Sequence, residues 1–384
     1  MQVDRLLLAD FRNYRRQEVR FGPGLNLVSG KNAQGKTNLL EAVFCLSGLG
    51  SPRSPDAALV REGAERALLH AEVTRGARTV QIDLEFRPNR GTRALVNKTP
   101  VPSLRALGES VVSVFFGPDE LLLVKGSPEG RRRFLDDAVV KLRPARDGLR
   151  KDWERVLKQR NALLKSSPAR TGGRAPATLD VWDGSFVRAG AALTAARLEV
   201  LGALLPFAQE RYRAIAGAGH LELEVQSAWI PQEVALGASS ISPAVEPVLE
   251  AALAEAVASI RPRELERGMS LVGPQRDDVA VRLTSTGSAL LDARTFASQG
   301  EQRTSALALK LGEYDLLRTA LGDEPVLLLD DVFSELDPGR RAWLSNAVRS
   351  AGQTLLSSAE PGAVEAAGAG QVIEVCAGEL VTRD

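Results

Sequence analysis

Apolar and polar residues alternate over much of the chain up to about residue 115, which predicts a β-rich region with one early helix. A short apolar run at residues 25–28 predicts a strand. Residues 80–86 alternate strictly, and the turn-forming segment 88–91 is expected to lead the chain back into a strand at residues 94–96.

From about residue 128 to residue 268 the apolar residues recur every three or four positions, which predicts helices. Trp153, Val156 and Leu157 show this spacing in one segment. The Ser-, Pro- and Gly-rich residues 166–177 predict an exposed connection between two long helices. We therefore expect a helix-rich insertion in this part of the chain.

Alternation returns after residue 273, at Val279, Val281 and Leu283. A helix is expected over residues 299–321. The unbroken apolar run at residues 326–329 is typical of a parallel strand that is covered on both faces. The chain therefore returns to an α/β pattern after the insertion.

The composition is that of an ordinary soluble globular protein, with 44% hydrophobic and 25% charged residues among 384. No apolar run approaches the ~20 residues that span a bilayer, and the first residues lack a signal-peptide pattern. We expect a cytoplasmic protein with no membrane partner. The two cysteines, Cys45 and Cys376, indicate neither a disulfide framework nor a zinc site and are expected to be buried.

The net charge of +1 hides an uneven distribution of charge. Residues 125–174 contain 15 Lys or Arg and 6 Asp or Glu, an excess of +9, so the rest of the chain carries −8. The chain therefore has a basic block on an acidic body.

Residues 30–37 match the phosphate-loop pattern G-x-x-x-x-G-K-[ST] between a predicted strand and a predicted helix. Glycines at both ends of the loop let successive N–H groups face phosphate oxygens at a helix N-terminus. Lys36 would bridge the β- and γ-phosphates of ATP, and the Thr37 hydroxyl would ligate Mg²⁺. The predicted nucleotide-binding residues here are Gly30, Lys31, Asn32, Ala33, Gln34, Gly35, Lys36, Thr37 and Asn38.

Two carboxylates, Asp330 and Asp331, follow the apolar run. This is the Walker B arrangement, in which Asp330 is expected to hold Mg²⁺ together with Thr37. Asp331 projects to a different side and is expected to orient or deprotonate the attacking water. ABC-type ATPases usually have Glu there, so slow turnover is expected. The alternative is a solvated pair of acids at a strand end.

Ser298 precedes a predicted helix and has Glu301 three positions later, the spacing of a capping box. A helix start that presents a serine hydroxyl and free N–H groups also binds anions. A plain capping box is the alternative. In ABC-type heads a segment at this distance before the Walker B acid faces the ATP of a second subunit, so Ser298 and Gly300 are predicted to bind nucleotide across a dimer.

Together these motifs resemble the RecF family, DNA repair and recombination ATPases whose heads are related to those of SMC proteins. The similarity covers most of the chain. Its segments are residues 10–14, 35–42, 125–136, 273–278, 298–302 and 329–337.

The resemblance implies an ABC-type P-loop ATPase head, a mixed sheet with helices, at residues 1–125 and 270–384, with an inserted helix-rich lobe at residues 126–269. It implies weak, Mg²⁺-dependent and DNA-dependent ATPase activity. It also implies an ATP-dependent homodimer, binding to double-stranded DNA and single/double-strand junctions, and cooperation with RecO and RecR to load RecA at gaps.

The resemblance also assigns roles to single residues. Asp337 ends a segment, residues 334–337, that is similar to the D-loop communicating between the two sites of a dimer. Arg12 is similar to an N-terminal arginine that reaches nucleotide phosphate in related heads. The residues implied to carry catalysis are Lys36, Asp330, Asp331 and Ser298.

Two departures from ABC-type patterns favour slow hydrolysis. Residues 355–358, Leu-Leu-Ser-Ser, lack the switch histidine, and residues 111–116 offer no glutamine for a Q-loop. They leave ATP binding unaffected.

The basic block suggests a surface for the phosphate backbone of DNA, which would be independent of base sequence and weakened by salt. Its candidate contacts are Arg131, Arg132, Arg133, Arg150 and Lys151. The equal alternative is that the three consecutive arginines are helix residues that pair with Asp136, Asp137 and the head.

Three functions compete. The first is an ATP-gated DNA clamp or loader of the RecF type. The second is a nucleotide sensor that dimerises on ATP but barely hydrolyses it. The third, an ABC transporter subunit, is disfavoured by the large insertion and by the Asn-Leu-Leu-Glu that follows the phosphate loop. The chain is too short for an SMC protein with a long coiled coil.

Overall fold

The computed structural model describes residues 1–88, 90–167, 177–236, 245–284, 289–359 and 370–383. The chain divides into two compact units. The first comprises Met1–Glu120 with Glu313–Asp384, and the second comprises Leu121–Gly312. The domain limits drawn from the sequence stay a prediction beside this division.

The strands and helices of the described residues are numbered in chain order. The strands are β1 (Gln2–Phe11), β2 (Tyr14–Arg20), β3 (Gly24–Ser29), β4 (Ala67–Arg75), β5 (Arg78–Arg87), β6 (Gly91–Val96), β7 (Thr99–Pro100), β8 (Ser113–Phe116), β9 (His220–Gln226), β10 (Asp278–Thr284), β11 (Leu291–Asp292), β12 (Val326–Asp330), β13 (Gln353–Ser358), β14 (Gln371–Cys376) and β15 (Glu379–Arg383). The α-helices are α1 (Lys36–Cys45), α2 (Leu122–Lys125), α3 (Pro128–Leu142), α4 (Gly148–Ser166), α5 (Thr178–Ala216), α6 (Gln232–Leu236), α7 (Val245–Arg267), α8 (Ala293–Phe296), α9 (Gln299–Leu321) and α10 (Pro338–Arg349).

The first unit contains an antiparallel sheet with the strand order β2-β1-β4-β5-β6-β7. Every second residue of β4 is buried from Ala67 to Val73, because successive side chains of a strand point to opposite faces. The strands predicted at residues 80–86 and 94–96 are confirmed as parts of β5 and β6. One face of this sheet therefore contributes to the core.

The second sheet of the same unit has the order β15-β14-β3-β13-β12-β8, in which all neighbours except β15 and β14 are parallel. All five residues of β12 are buried. This confirms that residues 326–329 form a parallel strand covered on both faces. The carboxyl ends of β3, β12 and β13 lie at one edge of the sheet, where ligands bind in α/β folds.

The second unit contains α2 to α8, the first part of α9, and an antiparallel sheet in the order β11-β10-β9. The helix-rich insertion expected over residues 128–268 also contains a strand, β9, which pairs along its length with β10. Leu221, Leu223 and Val225 alternate with polar residues. That period of two was present in the sequence, but it is short and lies between two long helical segments.

The core of the second unit forms where α4, α5 and α7 pack together around Trp153, Phe186 and Leu253. Arg160 is buried within it, and its guanidinium donates to Asp183 over 2.7 Å and to Glu264 over 2.6 Å. A buried charge is tolerated only when it is paired and hydrogen-bonded in this way. The network therefore ties the three helices together.

Of the helices that the structure describes, α5 alone is long and apolar enough to cross a membrane by length and composition. From the sequence, no apolar run long enough to span a bilayer was expected. Of its most apolar stretch, 56% is buried inside the protein, and Phe186, Leu193 and Leu201 belong to the clusters of the second unit. This burial is that of a core helix.

Two further sequence expectations are only partly met. Cys45 is buried as expected, but Cys376 is exposed at the end of β14. The connection predicted at residues 166–177 falls between α4 and α5, and its residues 168–176 lie outside the described residues.

Candidate nucleotide-binding site

The phosphate loop connects β3 to α1, the strand–loop–helix setting that its sequence predicts. Gly30 and Gly35 have φ values of +149° and +123°, in the region that favours glycine. A side chain at Gly30 would collide with the carbonyl oxygen of Val375, and one at Gly35 would meet Asn13 and Tyr14. Both glycines are therefore required by the conformation of the loop and by its close neighbours.

Residues from β2 and the β1–β2 turn hold the loop in place. The Asn13 side chain donates to the carbonyl of Gln34 over 2.8 Å, and the Tyr14 hydroxyl donates to the carbonyl of Gly35 over 2.9 Å. Burial raises the pKa of Tyr14 above its usual range, so its hydroxyl remains a donor. Asn38, the second residue after Lys36, donates to Asn13 over 2.8 Å. This support keeps the loop preorganised.

The Lys36 ammonium lies inside the curl of the loop. It donates to the carbonyl oxygens of Gly30 and Lys31 over 2.7 and 3.0 Å. Burial lowers its pKa, while the nearby carboxylates of Asp331 and Asp330 act in the opposite direction. A buried cation that is bonded to carbonyls is suited to receive a phosphate anion.

Thr37, Asp330 and Ser357 form a chain of hydrogen bonds at the carboxyl edge of the parallel sheet. The Thr37 hydroxyl donates to Oδ1 of Asp330 over 2.9 Å, and the Ser357 hydroxyl donates to the same oxygen over 2.6 Å. A carboxylate and a hydroxyl side by side are the protein oxygens that hold Mg²⁺ in P-loop sites. The residues present therefore fit a magnesium ion.

Asp331 leaves the strand in a left-handed conformation, with a φ of 49°, which aspartate tolerates better than most residues. Its N–H donates to the Ser357 hydroxyl over 2.9 Å. Its carboxylate is near enough to Lys36 to favour the charged form of that lysine, and its role toward water stays a prediction.

Ser357 was not predicted as a site residue from the sequence, where the segment after Walker B is notable only for its lack of a histidine. It stands beside Asp330 in the β12–β13 register and is fully buried. The signal was the pair of serines that follows Leu355 and Leu356 at the end of β13, because a buried hydroxyl there needs a polar partner. Ser357 thus links the two acids.

Arg12 lies at a left-handed position, with a φ of 53°, and faces Glu41 of α1. Its guanidinium makes two 2.8 Å bonds to the Glu41 carboxylate, which also accepts from Arg53 over 2.7 Å. The arginines lower the pKa of Glu41 against its burial. Arg53 was not predicted from the sequence as a partner of Glu41. Whether Arg12 reaches a nucleotide phosphate stays a prediction.

Ser298 lies in the second compact unit, where the predicted capping box is confirmed. The Ser298 N–H donates to the Glu301 carboxylate over 2.8 Å, and the Glu301 N–H donates to the Ser298 hydroxyl over 3.3 Å. Ser298 is exposed, and the Gly300 carbonyl accepts from Thr304 over 2.9 Å. Nucleotide binding by Ser298 and Gly300 stays a prediction, beside the capping role of Ser298.

Asp337 begins α10 as its N-cap and accepts from the N–H of Arg340 over 3.0 Å. This bond lowers the pKa of Asp337. The segment before it is tied to Walker B, since the Ser334 hydroxyl donates to the carbonyl of Asp331 over 2.8 Å. The contact gives the predicted D-loop a direct connection to the acid pair.

The candidate DNA contacts differ in exposure. The guanidinium of Arg131 is buried, makes two 2.8 Å bonds to Asp278, and donates to the carbonyls of Leu123 and Gly126. The structure therefore supports the paired alternative for Arg131, with Asp278 rather than Asp136 or Asp137 as its partner, so the guanidinium of Arg131 is not available to DNA.

The other four candidates retain accessible side chains. Arg132 is half-buried, donates to the carbonyl of Asp277 over 2.7 Å, and has a pKa lowered by burial. The side chains of Arg133, Arg150 and Lys151 are exposed to 52%, 39% and 65%. Arg133 and Arg150 make surface ion pairs within their own helices, and Lys151 pairs with Asp147, the residue before α4. Surface pairs of this kind are weak, so they leave these side chains available to another anion.

Comparison with known proteins shows the family to which this chain belongs. The model of the RecF/RecN/SMC N-terminal domain matches residues 2–379. The DNA replication and repair protein RecF of Streptomyces avermitilis is 46% identical over 365 residues, which cover 94% of each chain. RecF of Beutenbergia cavernae is 44% identical over 99% of each chain.

The chain belongs to the RecF family. A solved structure described as the recombination mediator protein RecF-ATP in the RecFOR pathway matches it with a TM-score of 0.87 and 25% identity, covering 100% of this chain and 97% of that one. The predicted ABC-type ATPase head fold and the resemblance to RecF are therefore confirmed.

Proposed function

We propose that this RecF-family chain is an ATP-dependent DNA-binding protein of repair and recombination. ATP drives dimerisation on DNA at gaps or single/double-strand junctions, and slow hydrolysis resets the clamp. One observation carries the proposal: the Thr37 hydroxyl and the Asp330 carboxylate meet within 2.9 Å at the base of a formed phosphate loop. That pair would hold the Mg²⁺ of Mg²⁺·ATP beside Lys36.

The loop residues 30–37, with Asn38, would receive the phosphates through backbone N–H groups and the Lys36 ammonium. Lys36 would exchange its bonds to the Gly30 and Lys31 carbonyls for bonds to the β- and γ-phosphates. Thr37 and Asp330 would hold Mg²⁺, which would neutralise phosphate charge. The loop thus needs little rearrangement to bind ATP.

Hydrolysis requires a group that orients or deprotonates water, and Asp331 is proposed for this role. Its N–H is fixed by Ser357, so its backbone position depends on the neighbouring strand. An aspartate reaches less far than the usual glutamate, and a serine stands near where ABC-type heads carry the switch histidine. Weak, DNA-dependent and Mg²⁺-dependent ATPase activity is therefore expected.

Each active centre would be completed by a second copy of the chain. Lys36 and Asp330 would come from one subunit, and Ser298 with Gly300 from the other, with Asp337 communicating between the sites. The exposed start of α9 supports this role, because free N–H groups and a serine hydroxyl at a helix start favour an anion. ATP would then join two heads.

The relatives supply the biological setting. They are named for DNA replication and repair, and the solved relative is described within the RecFOR pathway. By that likeness, RecO and RecR are the proposed partners, and loading of the RecA recombinase at gaps is the proposed outcome. A cytoplasmic location follows from the proposed DNA substrate.

The second candidate is a nucleotide sensor that dimerises on ATP with little turnover. It is favoured because the chain has Ser357, bonded to Asp330, in the segment where ABC-type heads usually carry the switch histidine. The two functions share ATP binding and differ in turnover. The ATPase rate of the full chain with and without gapped duplex DNA separates them. Stimulation by DNA supports the clamp, whereas a rate that DNA leaves unchanged supports the sensor.

Dimerisation tests what both candidates share. Light scattering should show a monomer without nucleotide and a dimer with Mg²⁺·ATP, with the dimer strengthened by gapped duplex DNA. The same protein preparation should be used for all conditions. A molecular mass that ATP does not change would contradict the proposal.

A further inference from the structure

One line of exposed residues along α4 carries only positive charge. Lys151, Arg155, Lys158 and Lys165 are all exposed on this helix. Their spacings of four, three and seven residues place them along one line of an α-helix, since such intervals return to the same face. We call these four residues the α4 basic stripe.

The stripe lies opposite the buried face of the same helix. Trp153, Val156, Arg160 and Leu164 are the buried residues of α4. At 3.6 residues per turn, the centre of that buried face is roughly 180° from the centre of the stripe. The stripe is therefore the part of α4 that projects farthest into solvent.

The acids of α4 lie at the edges of this face. Asp152 and Glu154 are exposed, but each is displaced around the helix from the line of cations. Arg155 pairs with Asp152 over 2.9 Å, and Lys151 pairs with Asp147, the residue preceding the helix, over 2.6 Å. Lys158, in the middle, makes no ion pair with any residue that the structure describes.

A solvated helix face is most stable with opposite charges at intervals of four, whereas like charges at that interval repel. Lys151 and Arg155 are four apart, and Arg155 and Lys158 are three apart. Their mutual repulsion would be relieved by an anion that spans several of them. The ion pairs at the edges are weak because they are exposed, so an incoming anion can displace them.

We propose that the α4 basic stripe binds the phosphate backbone of duplex DNA. From Lys151 to Lys165 the helix rises about 21 Å, a distance along which one strand of B-DNA presents about six phosphates. Four cations on that length match a run of phosphates rather than a single one. This inference rests on the proposed function, since it names the surface by which the protein holds DNA.

The contacts would be independent of base sequence. Flexible lysine and arginine side chains interact with phosphates through their charge, and neutralising each phosphate releases condensed counterions. The buried Arg131, held by Asp278, does not belong to this surface. The part of the basic block that binds DNA is thus the outward face of one helix.

The test is a variant of the full chain in which all four stripe residues become glutamine, which preserves helix propensity. The matched control changes four exposed arginines on other helices of the same unit to glutamine. These are Arg188, Arg213, Arg263 and Arg267. Binding to a 30-base-pair duplex is measured by fluorescence anisotropy with Mg²⁺·ATP at several salt concentrations, and binding of a fluorescent ATP analogue verifies that each variant is folded.

The stripe variant should bind the duplex at least ~10-fold more weakly near 0.1 M salt, and the slope of log affinity against log salt should shrink by about 3 to 4. The control should keep the slope of the unmodified chain within about one unit. Equal losses in the two variants would mean that only overall charge matters, and the proposal would be overturned.

Failure of the stripe and failure of the proposed function give different results. If the unmodified chain does not bind the duplex with Mg²⁺·ATP, the DNA-binding function itself fails. If the unmodified chain binds and the stripe variant binds with the same affinity and salt slope, DNA lies elsewhere and the stripe is only a solvated face.

Discussion

The Thr37 hydroxyl donates to Oδ1 of Asp330 over 2.9 Å, although 293 positions separate the two residues in the chain. Thr37 lies in the first turn of α1, after β3, whereas Asp330 ends β12. Strand β13 lies between β3 and β12 in the parallel sheet, and all three carboxyl ends reach the same edge. The sheet therefore brings the two predicted Mg²⁺ ligands together.

Replacing Lys36 by methionine should abolish ATP-dependent dimerisation. The γ-phosphate would lose its main compensating cation, a charge-assisted bond of about 1.5–3 kcal/mol, which corresponds to roughly 10- to 100-fold weaker ATP binding. Binding of a fluorescent ATP analogue and light scattering measure the two effects. Normal dimerisation of the variant on addition of ATP would refute the proposed role of nucleotide between the heads.

Replacing Asp331 by asparagine should leave ATP and Mg²⁺ binding intact and lower turnover by roughly 100- to 10,000-fold, the usual contribution of a positioned acid or base. The dimer should persist longer after free ATP is removed. Steady-state ATPase rates and dimer lifetimes, compared with the unmodified chain, provide the measurement. Unchanged turnover would remove Asp331 from the mechanism.

Much of the head was predictable because its signals are local in the sequence. Residues 30–37 form one continuous loop, and the apolar run before Asp330 has the length and composition of a buried parallel strand. Helix α9 begins and ends where its spacing and capping box indicate. Each of these features is decided by neighbours within a few residues.

Partners that are distant in the chain were not predictable. Arg131 pairs with Asp278, 147 positions away, whereas the sequence offered the nearby Asp136 as a candidate. Asp136 instead bonds Arg197 over 2.7 and 3.0 Å. A run of arginines looks the same whether its members face solvent or a buried carboxylate, because their charge does not encode burial. Only the packing of α3 on β10 decides which arginine of the run is buried.

Ser357 to alanine tests the hydroxyl that links the two acids. Asp330 would lose a 2.6 Å bond and the Asp331 N–H its acceptor. Partners that orient a metal ligand typically contribute roughly 10- to 100-fold to metal affinity or activity. The Mg²⁺ concentration that gives half-maximal ATPase activity should therefore rise by at least ~10-fold. Ser345 to alanine, a buried serine on α10, is the control. Equal Mg²⁺ dependence in both variants would show that Ser357 only fills space.

Asp277 makes the stability of the second unit depend on pH. Burial raises its pKa from 3.8 to about 6, although Trp229, Arg197 and Arg132 act in the opposite direction. Between pH 4 and 6 the Asp277 carboxyl group therefore binds its proton more tightly in the folded chain than in the unfolded chain. The stability contributed by the protonated acid is therefore fully present below pH 4 and lost as the pH rises to about 6.

Asp277 to asparagine should accordingly raise the free energy of unfolding at pH 8 by up to about 3 kcal/mol, with little gain near pH 4. Urea unfolding of the variant, of the unmodified chain, and of the exposed control Asp152 to asparagine would measure the difference at both pH values. A gain that is the same at pH 4 and pH 8 would show that charge on Asp277 is not its cause.

The composite site can be tested by combining two defective chains. A Lys36→Met chain keeps its signature helix but cannot hold ATP firmly. A Ser298→Arg chain holds ATP but would place a bulky cation at the γ-phosphate bound by its partner. Each variant alone should be nearly inactive as an ATPase, because in both homodimers every site contains one defective half.

Mixing the two chains allows a heterodimer in which the phosphate loop of the Ser298→Arg subunit meets the intact helix start of the Lys36→Met subunit. One of the two sites is then rebuilt. ATPase activity should reappear on mixing, up to about a quarter of the unmodified rate if subunits associate at random across a two-fold interface. Its recovery should rise with protein concentration, since association is bimolecular. If Ser298→Arg alone hydrolyses ATP at the unmodified rate, the Ser298 hydroxyl is only the helix cap seen in its bond with Glu301, and a site shared between subunits must be abandoned.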